Sequence, residues 1–318
     1  MEKVINGIPL DFIKSCFQIS DAGFDLRELP LGLQKIITRG GGETEMPLFF
    51  LANGYKNDLF IVVRGATEAH DFVRCLNFGR TKFLDGEVHE GVLAAARWII
   101  AQSREYIDEC KGRIIVVGHS LGGATSSMIA AVLRLEEKKE NVIAITAASF
   151  PIFSANIKKL TEPFITSFVF NNDVVPLLTQ TNLQMIIQFM VATTGNLGQS
   201  VGGIIQMLQT ILLQRGVQDQ TIIAKLYEVV PGIVAKIMSS PVTENFLCPG
   251  TVLNVVRCTP GQDVFTIVPF VEGKPMANLL LIMTGVADHN LQLLIGAIES
   301  ILATPSQPTG PTEVDDLD

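Results

Sequence analysis

The stretch GHSLGG, Gly118 to Gly123, constrains this chain more than any other, because of what lies on either side of it. RIIVV, Arg113 to Val117, precedes it, and ATSSMIAAVLRL, Ala124 to Leu135, follows directly. A short Ile/Val run without polar alternation suits a central strand covered on both faces. The following residues suit a helix from about residue 122 to 138, so the chain passes from strand to helix through a turn of very few residues. Gly118, Ser120 and Gly122 form G-x-S-x-G at that junction, where small flanking residues permit a sharp bend that leaves Ser120 exposed above the strand ends. The bare pentad arises by chance often enough to serve as a structural turn elsewhere. Its strand and helix flanks are what point to a nucleophile.

The rest of the chain supplies a matching context. PLFFLA (Pro47 to Ala52) and DLFIVVRG (Asp58 to Gly65) read as strands around an Asn53-Gly54 turn. A helix is expected over about 88–110, with Trp98, Ile99 and Ile107 inward, and further strands begin near Asn141 and at Ile165. Strands alternating with helices give the fold class α/β, with a mostly parallel central sheet flanked by helices. The length of 318 residues, 47% of them hydrophobic, is enough for one large domain with a substantial core. With only 18% charged residues and a mean hydropathy of +0.36, either much of the chain is buried or apolar surface meets lipid. A net charge of −8 argues against broad electrostatic capture of nucleic acid or anionic membranes.

The five cysteines, Cys16, Cys75, Cys110, Cys248 and Cys258, contain no CxxC pair and read as buried free thiols. No metal or other cofactor is expected: HExxH and calcium-loop patterns are missing, and GHSLGG lacks the lysine and spacing of a phosphate-binding loop. The opening MEKVINGIPLDF has no long apolar run and does not resemble a secretory signal, so the expected location is cytoplasmic, with peripheral contact to a membrane or lipid-droplet surface left open.

A serine hydroxyl needs a base, and the base needs an orienting acid. Of the four histidines, His119 adjoins Ser120, and the tight turn is expected to direct it away from the reaction face into a packing role. His70 and His89 read as surface or cap residues. His289 lies at a polar break in IMTGVADHNLQLLIGAI, where a late loop can bring it above the sheet as the base. Asp173, directly after the strand in FNNDVVPLL, is the candidate acid; Asp288 competes, but adjacency to His289 is poor support for reaching its ring. Ser120, Asp173 and His289 occur in the chain order of α/β-hydrolase triads. Attack on an ester carbonyl also needs two N–H donors for the developing oxyanion. Leu121 follows the nucleophile, and Ala66 in RGAT, Arg64 to Thr67, follows an earlier strand.

VVRGATEAHDFV, VHEGVLAAARWI, VVGHSLGGATSSMIAAVLRL, FVFNNDVVPLL and VADHNLQLLIGAI together resemble the class 3 lipase family, particularly its sn-1-specific diacylglycerol lipase branch, over about 45–180 and 245–300. The resemblance implies an α/β-hydrolase that cleaves acyl esters of lipid glycerides without a metal. It implies Ser120 as nucleophile, Asp173 as acid, His289 as base, and Ala66 and Leu121 at the oxyanion. Family members commonly carry Thr or Ser directly after the RG pair; Ala66 stands there, and Thr67 is the one residue that could replace the hydroxyl. The branch's N-terminal membrane spans are not expected in this chain.

Between Asp173 and His289 the chain is individual. Residues 174–214 contain no Asp, Glu, Lys or Arg. NLQMIIQFMVATTG and VGGIIQMLQTILLQ read as two helices, and a third is expected over Gln220 to Val230, ended by Pro231-Gly232. The insertion, about 182–240, is either an accessory helical layer or a lid over Ser120. GTVLNVVRC and QDVFTIVPF read as paired strands, and the Pro-rich acidic end as a mobile tail. The expected organisation is one hydrolase domain over 1–303 and a tail over 304–318. The leading function is a serine acyl-ester hydrolase cleaving di- or triacylglycerol through an acyl-enzyme. A carboxylesterase for small or aryl esters, and a non-catalytic lipid-binding or protein-interaction module, are the alternatives; oligomeric state is not readable.

Overall fold

The computed structural model describes residues 4–22, 33–41, 46–214, 217–241, 244–259, 262–272 and 285–303, so the expected tail lies outside the described residues. Strands β1 (Val4–Ile5) and β2 (Ile8–Pro9) lead into helix α1 (Leu10–Ala22). Strands β3 (Gln34–Arg39), β4 (Phe49–Asn53) and β5 (Leu59–Val63) follow, then α2 (Ala69–Leu76) and the two-stranded ribbon β6 (Arg80–Phe83) and β7 (Gly86–His89). Next come α3 (Glu90–Gln102), α4 (Arg104–Glu109), β8 (Ile114–His119), α5 (Leu121–Ala131), β9 (Val142–Ala147), α6 (Ala155–Thr161) and β10 (Ile165–Phe170). Helices α7 (Gln180–Thr194), α8 (Leu197–Gln214) and α9 (Gln220–Ser239) precede β11 (Thr251–Arg257), β12 (Phe265–Pro269) and α10 (Leu291–Ala303).

Eight strands form one sheet in the order β12-β11-β10-β9-β8-β5-β4-β3. Five strands, β11, β10, β9, β8 and β5, run parallel, and antiparallel pairings close both edges, β11 with β12 at one and β5 with β4 and β4 with β3 at the other. Period-two alternation along β8 divides the core in two. Ile114 and Val116 belong to the layer of α2, α3, α5 and α7–α9, while Ile115 and Val117 belong to that of α1 and α10. Both sets are fully buried, which explains why RIIVV has no polar alternation. This is the α/β-hydrolase architecture, with the chain reversing from strand to helix at Ser120.

Two expected elements differ. The single helix over 88–110 is two helices, broken at Ser103, whose N–H bonds back to the carbonyls of Ile99 and Ile100. Helix α9 does not stop at Pro231 but continues to Ser239. Proline removes the N–H that would serve the Tyr227 carbonyl. Tyr227 is an exposed residue, 55% accessible, so that side of the helix faces water, while buried Val230, Val234 and Ile237 hold the opposite side on the core.

Candidate active site

Close packing fixes the bend at the end of β8. A Cβ on Gly118 would overlap the backbone of Gly122, and one on Gly122 would overlap the carbonyl of Val63, so helix α5 can press against the strands only with glycine at both places. Ser120 takes up the turn at φ 60° and ψ −123°, a region that non-glycine residues rarely occupy. Its N–H bonds to Ala147 O at 2.9 Å and its carbonyl accepts the Ala124 N–H at 3.0 Å, so neighbouring strand and helix both hold the strained residue.

Asp173 leaves the end of β10 through Asn171, whose φ of 46° is tolerated by asparagine better than by most side chains. The Asn171 N–H bonds to Val255 O of β11 at 2.9 Å. His289 arrives from the other side, after a helical turn at 285–288 and just before α10. Two links join these loops: the Val174 N–H to Gly285 O at 3.1 Å, and the Asn172 N–H to Asp288 Oδ2 at 3.2 Å. A Cβ at Gly285 would come within 2.5 Å of the Asn172 carbonyl, so the two loops meet without room for a side chain.

Three side chains converge there. His289 Nε2 lies 3.1 Å from Ser120 Oγ, and His289 Nδ1 lies 3.0 Å from both Asp173 oxygens. Asp173 Oδ1 also accepts the Val175 N–H at 2.9 Å, which fixes the carboxylate plane. Ser120, Asp173 and His289 are 7%, 2% and 3% exposed, so the chain of contacts is shielded from water and correspondingly strengthened. The arrangement can move a proton from Ser120 Oγ to His289 while the Asp173 side chain faces the far side of the ring. Asp288 stays apart as a loop tie; burial pushes its carboxyl pKa up, the Asn172 N–H opposing.

Ala66 and Ser120 line one narrow apolar cavity with Phe72, Leu76, Phe150 and Leu208, of about 30 Å³. The loop carrying Ala66 is held by Asp71, whose Oδ2 accepts the N–H groups of Thr67 and Glu68 at 3.0 and 3.1 Å. Leu121 is the first residue of α5, where N–H groups have no partner inside the helix. Thr67 lines a cleft with Arg64, His70 and Lys225, and its hydroxyl is buried.

His119 takes the packing role expected of it: its ring stacks on His289 with centroids 4.7 Å apart. Strand alternation, which sends Val117 and His119 to the same side, is the signal that was available. His89 does cap a helix, accepting the Val92 N–H at 3.4 Å, yet it is fully buried and surrounded by Phe78, Phe150 and Phe246. That desolvation lowers its pKa to about 4. His70 sits beside Glu68 and Asp71, half-buried. All five cysteines are free, but only Cys16 and Cys248 are buried and Cys258 is exposed. Among the described residues no group of His, Cys, Asp and Glu could hold a metal ion, and no helix is long and apolar enough to cross a membrane.

Residues 60–183 match the family lipase (class 3). Diacylglycerol lipase-beta of Mus musculus is 23% identical over 153 residues, 44% of this chain and 23% of that protein. The chain therefore spans less than a quarter of the length of this curated relative. Two solved structures share part of the fold. A triacylglycerol lipase described as having a serine protease triad at its catalytic centre is 19% identical, covering 53% of this chain and 72% of its own at a TM-score of 0.43. The Lip2 lipase from Yarrowia lipolytica is 16% identical, covering 53% and 73% at a TM-score of 0.45.

Proposed function

We propose that this chain, which carries the class 3 lipase match over residues 60–183, is a serine hydrolase of glycerolipid acyl esters, with di- and triacylglycerols as the substrate class. The observation that supports this best is the buried Ser120, His289 and Asp173 relay at the wall of an apolar cavity. His289 Nε2 takes the Ser120 proton as Oγ bonds to the ester carbon, and the carbonyl electron pair moves onto oxygen. The N–H groups of Ala66 and Leu121 hold that oxyanion, and Asp173 stabilises the imidazolium. Collapse of the intermediate breaks the ester C–O bond, and His289 protonates the departing glyceride alcohol. His289 then deprotonates water, which attacks the acyl-enzyme; the fatty acid leaves and Ser120 recovers its proton.

The wall residues favour an acyl chain over a polar substituent. A cavity of about 30 Å³ holds only one or two waters, so the present conformation is closed to a fatty acyl chain. Leu208 and Ile211 of α8 form part of that wall, which supports reading the α7–α9 insertion as a lid. The outer side of α7 and α8 carries exposed Met185, Phe189, Leu197 and Leu213 within a stretch, 174–214, that has no charged residue, as a cover that meets a lipid surface requires. The lid reading and peripheral lipid contact stand or fall together.

The test is turnover of a diacylglycerol or medium-chain ester by the purified chain. Ser120→Ala and His289→Ala are each expected to lose roughly a thousand-fold or more, because the relay acts as a unit. Asp173→Asn should also be impaired, Asp288→Asn much less. A serine-reactive phosphonate should label wild type and not Ser120→Ala. Labelling of a different serine overturns the assignment; failure across a broad ester panel with Ser120 accessible leaves the non-catalytic binding module.

A further inference from the structure

Ser20, in the last turn of α1, is fully buried and reaches out of its helix at two atoms. Its hydroxyl donates to the Val63 carbonyl at 2.6 Å and accepts the His119 N–H at 3.0 Å. Its own carbonyl accepts the Gly65 N–H at 3.1 Å. Carbonyls in the last turn of a helix have no partner further along, which frees Ser20 O for this bond.

These contacts fall where the sheet opens. Val63 and Gly118 form the last pair between β5 and β8. Beyond them one chain turns to Ala66 and the other to Ser120, and both of those residues line the apolar cavity. Ser20 therefore touches the last residue of one strand, the next strand's residue before the nucleophile, and the residue before Ala66. His119, whose backbone it holds, stacks its ring on His289. Oxyanion donors act only when held close to the position the charged oxygen will occupy, so the separation of these two loops matters for rate.

We infer that Ser20 is a positioning residue: a clamp from the helix layer behind the sheet that sets the oxyanion loop and the nucleophile turn against each other. This rests on the hydrolase reading of Ser120. Ser20 lies outside the residues that match the family, and outside the cavity lining, so it acts through Gly65 and His119 and not through substrate.

The test compares Ser20→Ala with Ser167→Ala, another buried serine, whose hydroxyl bonds to Pro249 O and to Thr146 Oγ1, both at 2.8 Å, and not to Val63 or His119. With a short soluble ester, Ser20→Ala should lower kcat about ten-fold while KM stays within about two-fold, since what is disturbed is transition-state geometry. Amide hydrogen exchange at Gly65 and His119 should accelerate about ten-fold, because each loses a partner or its anchor. Ser167→Ala should change neither kcat nor those two amides. A wild-type kcat in Ser20→Ala overturns the clamp, as does an equal kcat loss in Ser167→Ala at matched thermal stability. Where Ser20→Ala does not fold, Ser20→Cys keeps a side-chain donor and acceptor, bonds more weakly through its larger sulfur and is read the same way. Should wild type itself turn over no ester, the hydrolase reading fails separately, and exchange decides the clamp: unchanged protection at both amides rejects it.

Discussion

At φ 60° and ψ −123°, Ser120 holds strain on the order of 1–3 kcal/mol that any non-glycine residue would carry there. Both Ser120→Gly and Ser120→Ala remove the hydroxyl, but only glycine relaxes the backbone. Urea denaturation should place Ser120→Gly about 1 kcal/mol above Ser120→Ala; equal midpoints would show the turn to be unstrained. His89 carries a different cost. Its pKa of about 4 in the fold, set mainly by desolvation, lies below the ordinary histidine value of 6.5. The unfolded chain therefore binds a proton between those values that the folded chain refuses, and stability falls as pH drops from 6.5 towards 4. The loss should approach roughly 3 kcal/mol at the acid end. His89→Asn keeps an acceptor for the Val92 N–H without titrating, so denaturant midpoints measured across that range should fall less steeply in the variant.

Helix α7 shows how one element divides its tasks. Leu183, Ile186 and Ile187 are buried in the core layer, while Met185 and Phe189 face outward, with Phe189 46% exposed. A charge at Ile187 and a charge at Phe189 therefore test different things. Ile187→Lys buries a charge with no partner and should lower thermal stability together with turnover of every ester. Phe189→Lys should leave the melting temperature near wild type and lower turnover of long-chain, membrane-presented glycerides roughly ten-fold more than that of a short soluble ester. A parallel loss on both substrates from Phe189→Lys would return α7–α9 to the role of an accessory layer. The sequence displayed the first two helices of this insertion as a charge-free stretch. It did not display which side of α7 faces the core, because small and polar residues such as Gln184 are buried along with the aliphatic ones; Gln184 Nε2 bonds to Ile237 O at 2.7 Å.

Across the whole molecule, the bottom of the sheet carries stability and the top carries chemistry. Asp58, 3% exposed at the side chain, directly precedes β5 and accepts from the Arg113 backbone N–H at 2.8 Å and from its guanidinium at 2.7 and 3.1 Å. These bonds join the start of β5 to the start of β8, roughly 20 Å along the strand from Ser120 at the usual rise per residue. Asp58→Ala should cost about 2 kcal/mol, tempered because Arg113 can still reach water. Turnover per folded molecule should stay within about two-fold of wild type, as measured by active-site titration with the phosphonate; a larger drop would mean that the two ends of the sheet are coupled.

The central strand, the Ser120 turn and the helix behind it were legible in the sequence, because each depends on neighbours in the chain: an Ile/Val run, two glycines at contact distance, and small residues at the start of a helix. The candidate acid and base, which the fold brings to Ser120, were legible from residue type and chain order, as were the paired strands β11 and β12. What the sequence could not express was contact between distant segments. The stacking of His119 on His289, the burial of His89 among three phenylalanines and the reach of Ser20 across two strands exist only once the layers are packed. Continuation of α9 past Pro231 belongs with them: local propensity ends a helix there, and burial of Val230, Val234 and Ile237 outweighs the one hydrogen bond that proline removes.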